Sequence, residues 1–409
     1  MKKTKIIMLG VAVLFLNNIV TASTPYNNKT ALSIGVDYAD GTSGVDQATN
    51  SYDTYTSMGL TTKKITNTTG TNVQGKHSNG TKYLESGIIY LVGHSEYAGM
   101  TFINNVRITS STYNIDTDTK HIFGIRSYDN TKTSMITFAG CNTAQAGEDH
   151  LALLTYGSGT KITMGWTTDL NIASYKNWNK RFNEKIKDKS TSALSAAESA
   201  SNHIYLSNTV KNYRLYGKFN KNPWYFLNTK STDNLISNER ISSIKINENT
   251  DGIVKNYNEN IQEIDSYLMN EIGNINLNDY KLEINGVHKT YYDYVLYING
   301  VRTNLGYTIV KDNTTNELTL YNNAPEDKIQ TAKRIITNSN INTLTFEKSI
   351  EQKIKKYYNE YKINNVDDII YYDSDNEKMY VVKEFKATSS DGNYILTNIM
   401  EEVNWKRKH

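Results

Sequence analysis

Two short apolar runs, each closed by glycine and a reactive side chain, constrain this chain most. They are Ser86 to His94 (SGIIYLVGH) and Ser134 to Ala144 (SMITFAGCNTA). Each is rich in β-branched and aromatic residues, which reads as a strand buried on both faces in a mostly parallel sheet rather than as a helix. Side by side, the two strands deliver His94 and Cys141 to one carboxyl edge, where open α/β sheets place their sites. Cys141 is the sole cysteine among 409 residues, and a thiol beside an imidazole is a nucleophile with its base.

The amino terminus has the pattern of a secretory signal peptide. A basic stub, Met1-Lys2-Lys3-Thr4-Lys5, precedes an apolar stretch from Ile6 to Phe15, and Val20-Thr21-Ala22 offers a small residue for cleavage after Ala22. The stretch is too short to span a bilayer, and no later one is apolar enough to do so. The expectation is a secreted chain of roughly 390 residues, enough for two or three domains. A formal charge of +3 with no basic cluster interleaved with aromatics argues against nucleic acid as the partner. A single cysteine forms no internal disulfide, so it is either a buried inert residue or a retained nucleophile. The polar turn Asn142-Thr143 after Gly140-Cys141 favours the nucleophile and suggests a solvent-facing strand end.

Strand and helix patterns alternate through the first half. Strands are expected at Ala31 to Tyr38, Thr61 to Thr66, Ile88 to Val92, Ile136 to Ala139 and Lys161 to Trp166. Helices are expected at Gly44 to Met58, Glu148 to Tyr156, Ile172 to Lys187 and Ser192 to Tyr205. That alternation implies βαβ units and a parallel sheet. Period-2 segments between His94 and Met135 read as a hairpin or flap. Residues 227–276 are polar and read as a connector with one helix near Ile261 to Ile272. Residues 277–409 read as α+β accessory modules. There, the helix from Phe346 precedes three antiparallel strands, with a rougher copy at Leu282 to Leu320.

A strand ending in His followed by a strand ending in Cys resembles the clan CD cysteine peptidases: caspases, gingipains, clostripain, separase and the CHAT domains. His94 lies 47 positions before Cys141, and caspases place their His about 50 residues before the Cys. Phe138-Ala139-Gly140-Cys141-Asn142-Thr143-Ala144, then Met164-Gly165-Trp166 and a helix with Trp178 and Phe182, is most similar to the gingipain, clostripain and CHAT branch. The resemblance covers about residues 24–226 and implies an α/β, caspase-like, mostly parallel sheet with helices on both faces. It also implies an endopeptidase acting through a His94–Cys141 dyad, with the amides of Cys141 and Ser95 holding the oxyanion and no cofactor. Family members carry Gly after the His, where this chain has Ser95. An acid two residues before the Cys often marks cleavage after Arg or Lys, and here that position is Ala139. Trp166 matches an aromatic pocket wall and equally reads as a core aromatic. Asp37 and Asp40, on the same predicted edge, are the acids expected to meet a basic substrate residue.

Other patterns are weaker. Gly93-His94-Ser95-Glu96-Tyr97 lacks the final Gly of a serine-hydrolase elbow. His94, His121 and His150 with Glu148 and Asp149 fit no metal spacing. Asp116-Thr117-Asp118 and Asp373-Ser374-Asp375 are oxygen-rich turns that suit calcium, and as Asx turns they need no ion. The carboxy-terminal modules, with Tyr380-Val381-Val382 and the Tyr-rich strand from Tyr291, resemble PepSY-type domains, which implies intramolecular inhibition of a peptidase acting on proteins or peptides. The alternative is a catalytically degenerate caspase-like fold used for binding or adhesion.

Overall fold

Alternation of the two apolar runs between opposite sides of one sheet organises the amino-terminal half. The computed structural model describes residues 28–38, 43–145, 150–202, 209–228, 257–273, 275–322, 326–339, 344–373, 378–388, 390 and 394–403. The expected signal segment, 1–22, lies outside them. In chain order the half comprises β1 (Thr30–Gly35), α1 (Val45–Ser57), β2 (Thr61–Ile65), α2 (Gly70–Val73), β3 (Ile88–Val92), β4 (His94–Glu96), β5 (Gly99–Thr101), β6 (Val106–Thr109), β7 (Asn114–Asp116) and β8 (His121–Gly124). There follow β9 (Met135–Ala139), α3 (Leu151–Gly157), β10 (Ile162–Trp166), α4 (Ile172–Ile186), α5 (Ala193–Ser201) and β11 (Tyr213–Gly217).

Six strands form one sheet in the order β11-β10-β9-β3-β1-β2, parallel except for β11, which runs antiparallel to β10. Every residue of β3 and β9 is buried. Ile88, Tyr90 and Val92 share a core with Tyr55 of α1, Trp178 of α4 and Ala197 of α5. Ile89 and Leu91 point the other way, toward Val73 of α2 and Leu151 of α3. This two-sided burial is why the runs lack a polar face. The expected α/β architecture, with helices on both faces, is what the chain adopts.

Residues 94–124 correct the expected hairpin or flap. They form a separate five-stranded sheet, β4-β5-β6-β8-β7, that packs Met100, Ile108 and Phe123 beneath β3 and β9. Its β6–β8 pair is parallel, a long-range pairing that period-2 reading cannot reveal. β11 had no clear strand signal, because two of its five residues alternate into the core and the others are half-exposed.

The carboxy-terminal half has its own core. β12 (Tyr280–Asn285), β13 (Lys289–Ile298), β14 (Val301–Asp312) and β15 (Leu318–Asn322) form an antiparallel set. β16 (Lys362–Asp373), β17 (Lys378–Thr388) and β18 (Tyr394–Glu402) form a second, and a short parallel β14–β16 pairing joins them into one seven-stranded sheet. Each set follows a helix, Tyr257–Ile272 or Leu344–Tyr357. Ile264 and Leu268 belong to this second core, so the module begins inside what the sequence presents as connector. Most of that connector, 229–256, lies outside the described residues.

The two halves are fastened along β11. Lys211 Nζ meets Asp293 Oδ1 at 2.5 Å, with the side chains 1% and 5% exposed. Asp293 also accepts from Thr308 and Asn285. The Leu215 amide donates to His288 Nε2 at 2.9 Å, and the Gly286 amide donates to Asn212 Oδ1. The open edge of β11 is thereby covered. Removing one member of a buried ion pair strands the other charge, so Lys211→Ala should cost about 3–5 kcal/mol. Urea unfolding of the full chain measures it, and a loss below about 1 kcal/mol would show that Asp293 is satisfied without Lys211.

Candidate functional site

β3 and β9 pair in parallel from Ile88↔Met135 to Val92↔Ala139, so partners differ throughout by 47 positions, the same separation as His94 and Cys141. The Gly93 amide extends the ladder to the Ala139 carbonyl at 3.2 Å. Both chains then turn away on glycine. A side chain on Gly140 would collide with Ser95 and the Gly93 carbonyl, and one on Gly93 would collide with the Tyr38 hydroxyl. The two strand ends can approach this closely only without Cβ atoms.

His94 opens β4 and is buried, its ring 4.1 Å from that of Tyr38. Its amide donates to the Tyr38 hydroxyl at 3.0 Å, which donates to the Thr101 carbonyl at 2.8 Å. Tyr38 follows β1, beside the point where strand order reverses between β1 and β3. Sequence reasoning singled out neighbouring aspartates and passed over it. Ser95 is fully buried in the β4–β5 ladder opposite Met100, and its hydroxyl donates to the Cys141 carbonyl at 2.8 Å.

Cys141 is not at a solvent-facing strand end. It is 4% exposed, and its Sγ accepts from the Leu170 amide at 3.4 Å. Burial pushes the thiol up to about 12 and the Asp169 carboxylate adds to the shift, while the backbone of Leu170, the Lys386 ammonium and the backbone of Leu396 oppose it. Cys141 is part of the amino-terminal core with Trp166, Leu170 and Tyr175, and Lys386 and Leu396 of the carboxy-terminal half also act on it. The outer strand of that half's sheet, β18, lies on the site. Leu396 bridges Asn171 in parallel fashion and is itself buried. Lys386, its cross-strand partner on β17, reaches Asp169 Oδ2 at 3.1 Å.

The remaining expected site residues divide. Trp166 is fully buried, with its indole N–H on the Val210 carbonyl and its ring edge-on to Tyr175 and Trp178. Its packing is that of a core aromatic, not of an open pocket wall. Asp37 is exposed and bridges Ser43 through its backbone, while Asp40 lies outside the described residues. The acid at the thiol is instead Asp169, three residues past β10. A lone Asp in a polar loop carries no sequence signal, and only the fold reveals it. His121 pairs with Asp116, and His150 caps α3 while meeting the Tyr216 hydroxyl. Among the described residues no group of three or more His, Cys, Asp or Glu is placed to hold a metal ion. Nor is any helix among them long and apolar enough to cross a membrane.

No protein-family model matches the chain, and no curated protein matches it significantly. Among solved structures, the complex of the pro- and mature domains of RgpB from Porphyromonas gingivalis is similar at a TM-score of 0.27 and 14% identity, over 52% of this chain and 49% of that one. The likeness spans about half of each, and at that score it carries no argument about the site. The PepSY-like resemblance finds no support in these comparisons.

Near Asn171, the β17 carboxyl of Glu384 is buried, and burial raises its pKa to about 7, against the pull of Arg302. The folded chain therefore prefers Glu384 protonated, and its stability should fall as pH rises from about 4.5 to 7, by roughly 2–3 kcal/mol. Buried His77 and His150 and half-buried His288, each lowered to about 4, act oppositely on acidification. The test is therefore the difference in urea stability between the parent and Glu384→Gln. It should shift in favour of the variant across that window, and a pH-independent difference would contradict the burial argument.

Proposed function

We propose that this chain is an exported cysteine endopeptidase whose carboxy-terminal half closes its own site. The observation that carries the reading is the parallel β3–β9 register, which runs to Val92↔Ala139 and so sets the two strands that lead into His94 and Cys141 side by side. In the reaction, the Cys141 thiolate attacks the scissile carbonyl carbon, and the amides of Cys141 and Ser95 receive the oxyanion. His94 gives a proton to the departing amine, leaving an acyl-enzyme thioester. Water, losing a proton to His94, then hydrolyses the thioester and returns the thiol.

The closed arrangement supports self-inhibition. Leu396 lies extended against Asn171 and the thiol, as a bound peptide strand would. Lys386 on Asp169 supports cleavage after basic residues, with Asp169 rather than Asp37 or Asp40 as the acid that receives the substrate side chain. The buried thiol and Ser95 in place of glycine favour the second reading, a degenerate binding fold. Kinetics separate the two. Cys141→Ala or His94→Ala should lower kcat/KM by about 10⁴-fold or more, and Lys386→Glu should raise turnover of the full chain roughly tenfold by repelling Asp169. A positional peptide library should prefer Lys or Arg before the cleaved bond, less so in Asp169→Asn. Hydrolysis that survives in folded Cys141→Ala excludes the mechanism, and a preference for acidic residues excludes the role of Asp169.

A further inference from the structure

Asn142, directly after Cys141, has φ 58°, a left-handed conformation that Asn tolerates better than most side chains. Among the described residues, the four other non-glycine residues with positive φ, Asn104, Asn105, Asn299 and Asn316, are exposed. Asn142 is half-buried and tied at both ends. Its amide donates to the Thr168 carbonyl at 3.0 Å, and its side-chain Nδ2 donates to Asp169 Oδ1 at 3.0 Å. Next to it, Thr143 Oγ1 accepts from the Trp166 amide, and the Ala144 amide donates to the Trp166 carbonyl. The turn carrying Cys141 is thus fastened bond by bond to residues 166–169. The next residue in that line, Leu170, sends its N–H to Sγ, and Asn171 caps α4 through Ser174.

We propose that Asn142 is a positioning residue, holding the Thr167 to Asn171 loop against the Cys141 turn so that the Leu170 amide is aimed at the sulfur. An N–H directed at sulfur stabilises the thiolate over the thiol. The left-handed turn lets one side chain reach across to Asp169 while the same residue's amide reaches Thr168. Asp169 Oδ1 is held by Asn142 while Oδ2 faces Lys386, so one carboxylate serves the clamp and the closing half at once.

This inference rests on the cysteine-peptidase reading, and its test uses the full chain with a lysyl peptide substrate. Asn142→Asp sets a second carboxylate against Asp169. It should lower kcat by about 10²-fold, leave KM within about twofold, and speed hydrogen exchange of the Leu170 amide. Combining it with Asp169→Asn exchanges donor and acceptor. The pair should recover kcat and Leu170 protection, while KM rises because the acid that meets the lysyl side chain is gone. Asn142→Gly keeps the turn but loses the side-chain bond, and should show a smaller kcat loss. It carries the test if Asn142→Asp fails to fold. Unchanged kcat and Leu170 protection in Asn142→Gly and Asn142→Asp would overturn the proposal, as would a folded double variant that recovers neither. If the parent hydrolyses no peptide, the peptidase reading fails, and Leu170 exchange alone decides whether the clamp exists.

Discussion

The parallel pairing of β3 with β9 is the constraint on which the rest depends. A parallel ladder fixes which residues leave the sheet together. With the register set from Ile88↔Met135 to Val92↔Ala139, the segments that carry His94 and Cys141 leave neighbouring strands at one edge, and the crossover between them must be long enough to return the chain there. The small sheet of residues 94–124 is that crossover elaborated into a second layer under β3 and β9. Gly140 is required where the strand ends turn apart, because a Cβ there would meet Ser95 and the Gly93 carbonyl, whereas Gly93 makes room for the Tyr38 hydroxyl.

The contacts between the halves are of two kinds. Along β11 they are mostly dry: the Lys211–Asp293 pair and the neighbouring Tyr213 and Tyr291 hydroxyls are buried, and the His288 acceptor is half-buried. Over the thiol they are mixed. Leu396 is buried, yet the Lys386–Asp169 pair is about a third exposed, at 31% and 29%, where ion pairs contribute little. On the proposed reading, the β11 side is the anchor and the β18 side the part that would give way, and withdrawal of Leu396 and Lys386 would have to accompany activation of a thiol that the closed chain raises to about 12.

Much of the first half was legible in the sequence because two-sided burial writes itself as continuous apolar runs. The strands at Ile88 and Met135 and the edge that carries His94 and Cys141 follow from such runs, while the helix after Asn171 shows as apolar residues at helical spacing and the one after Gly44 as a polar segment. The carboxy-terminal pattern of a helix before three antiparallel strands was legible from its β-branched and aromatic stretches, although β17 is buried without a break from Val381 to Phe385. What escaped depends on long-range contact. Tyr38, Asp169 and Leu170 are ordinary loop residues until β1 and β10 carry them beside the site, and no local pattern says that β18 will lie on Cys141. The solvent-facing reading of Cys141 failed because its turn folds into the core beside Trp166 and Leu170, with Leu396 arriving from more than 200 positions away. Trp166 failed as a pocket wall because α4 brings Tyr175 and Trp178 against it.

One thiol in the whole chain makes the central claim directly measurable. The rate at which iodoacetamide alkylates Cys141, followed by intact mass at pH 8, reports both closure and activation. The parent should react more slowly than a free thiol. Lys386→Glu should react faster than one, and His94→Ala in that background should be slow again. Fast alkylation of the parent would contradict closure by β18. A Lys386→Glu rate indifferent to His94 would contradict the dyad.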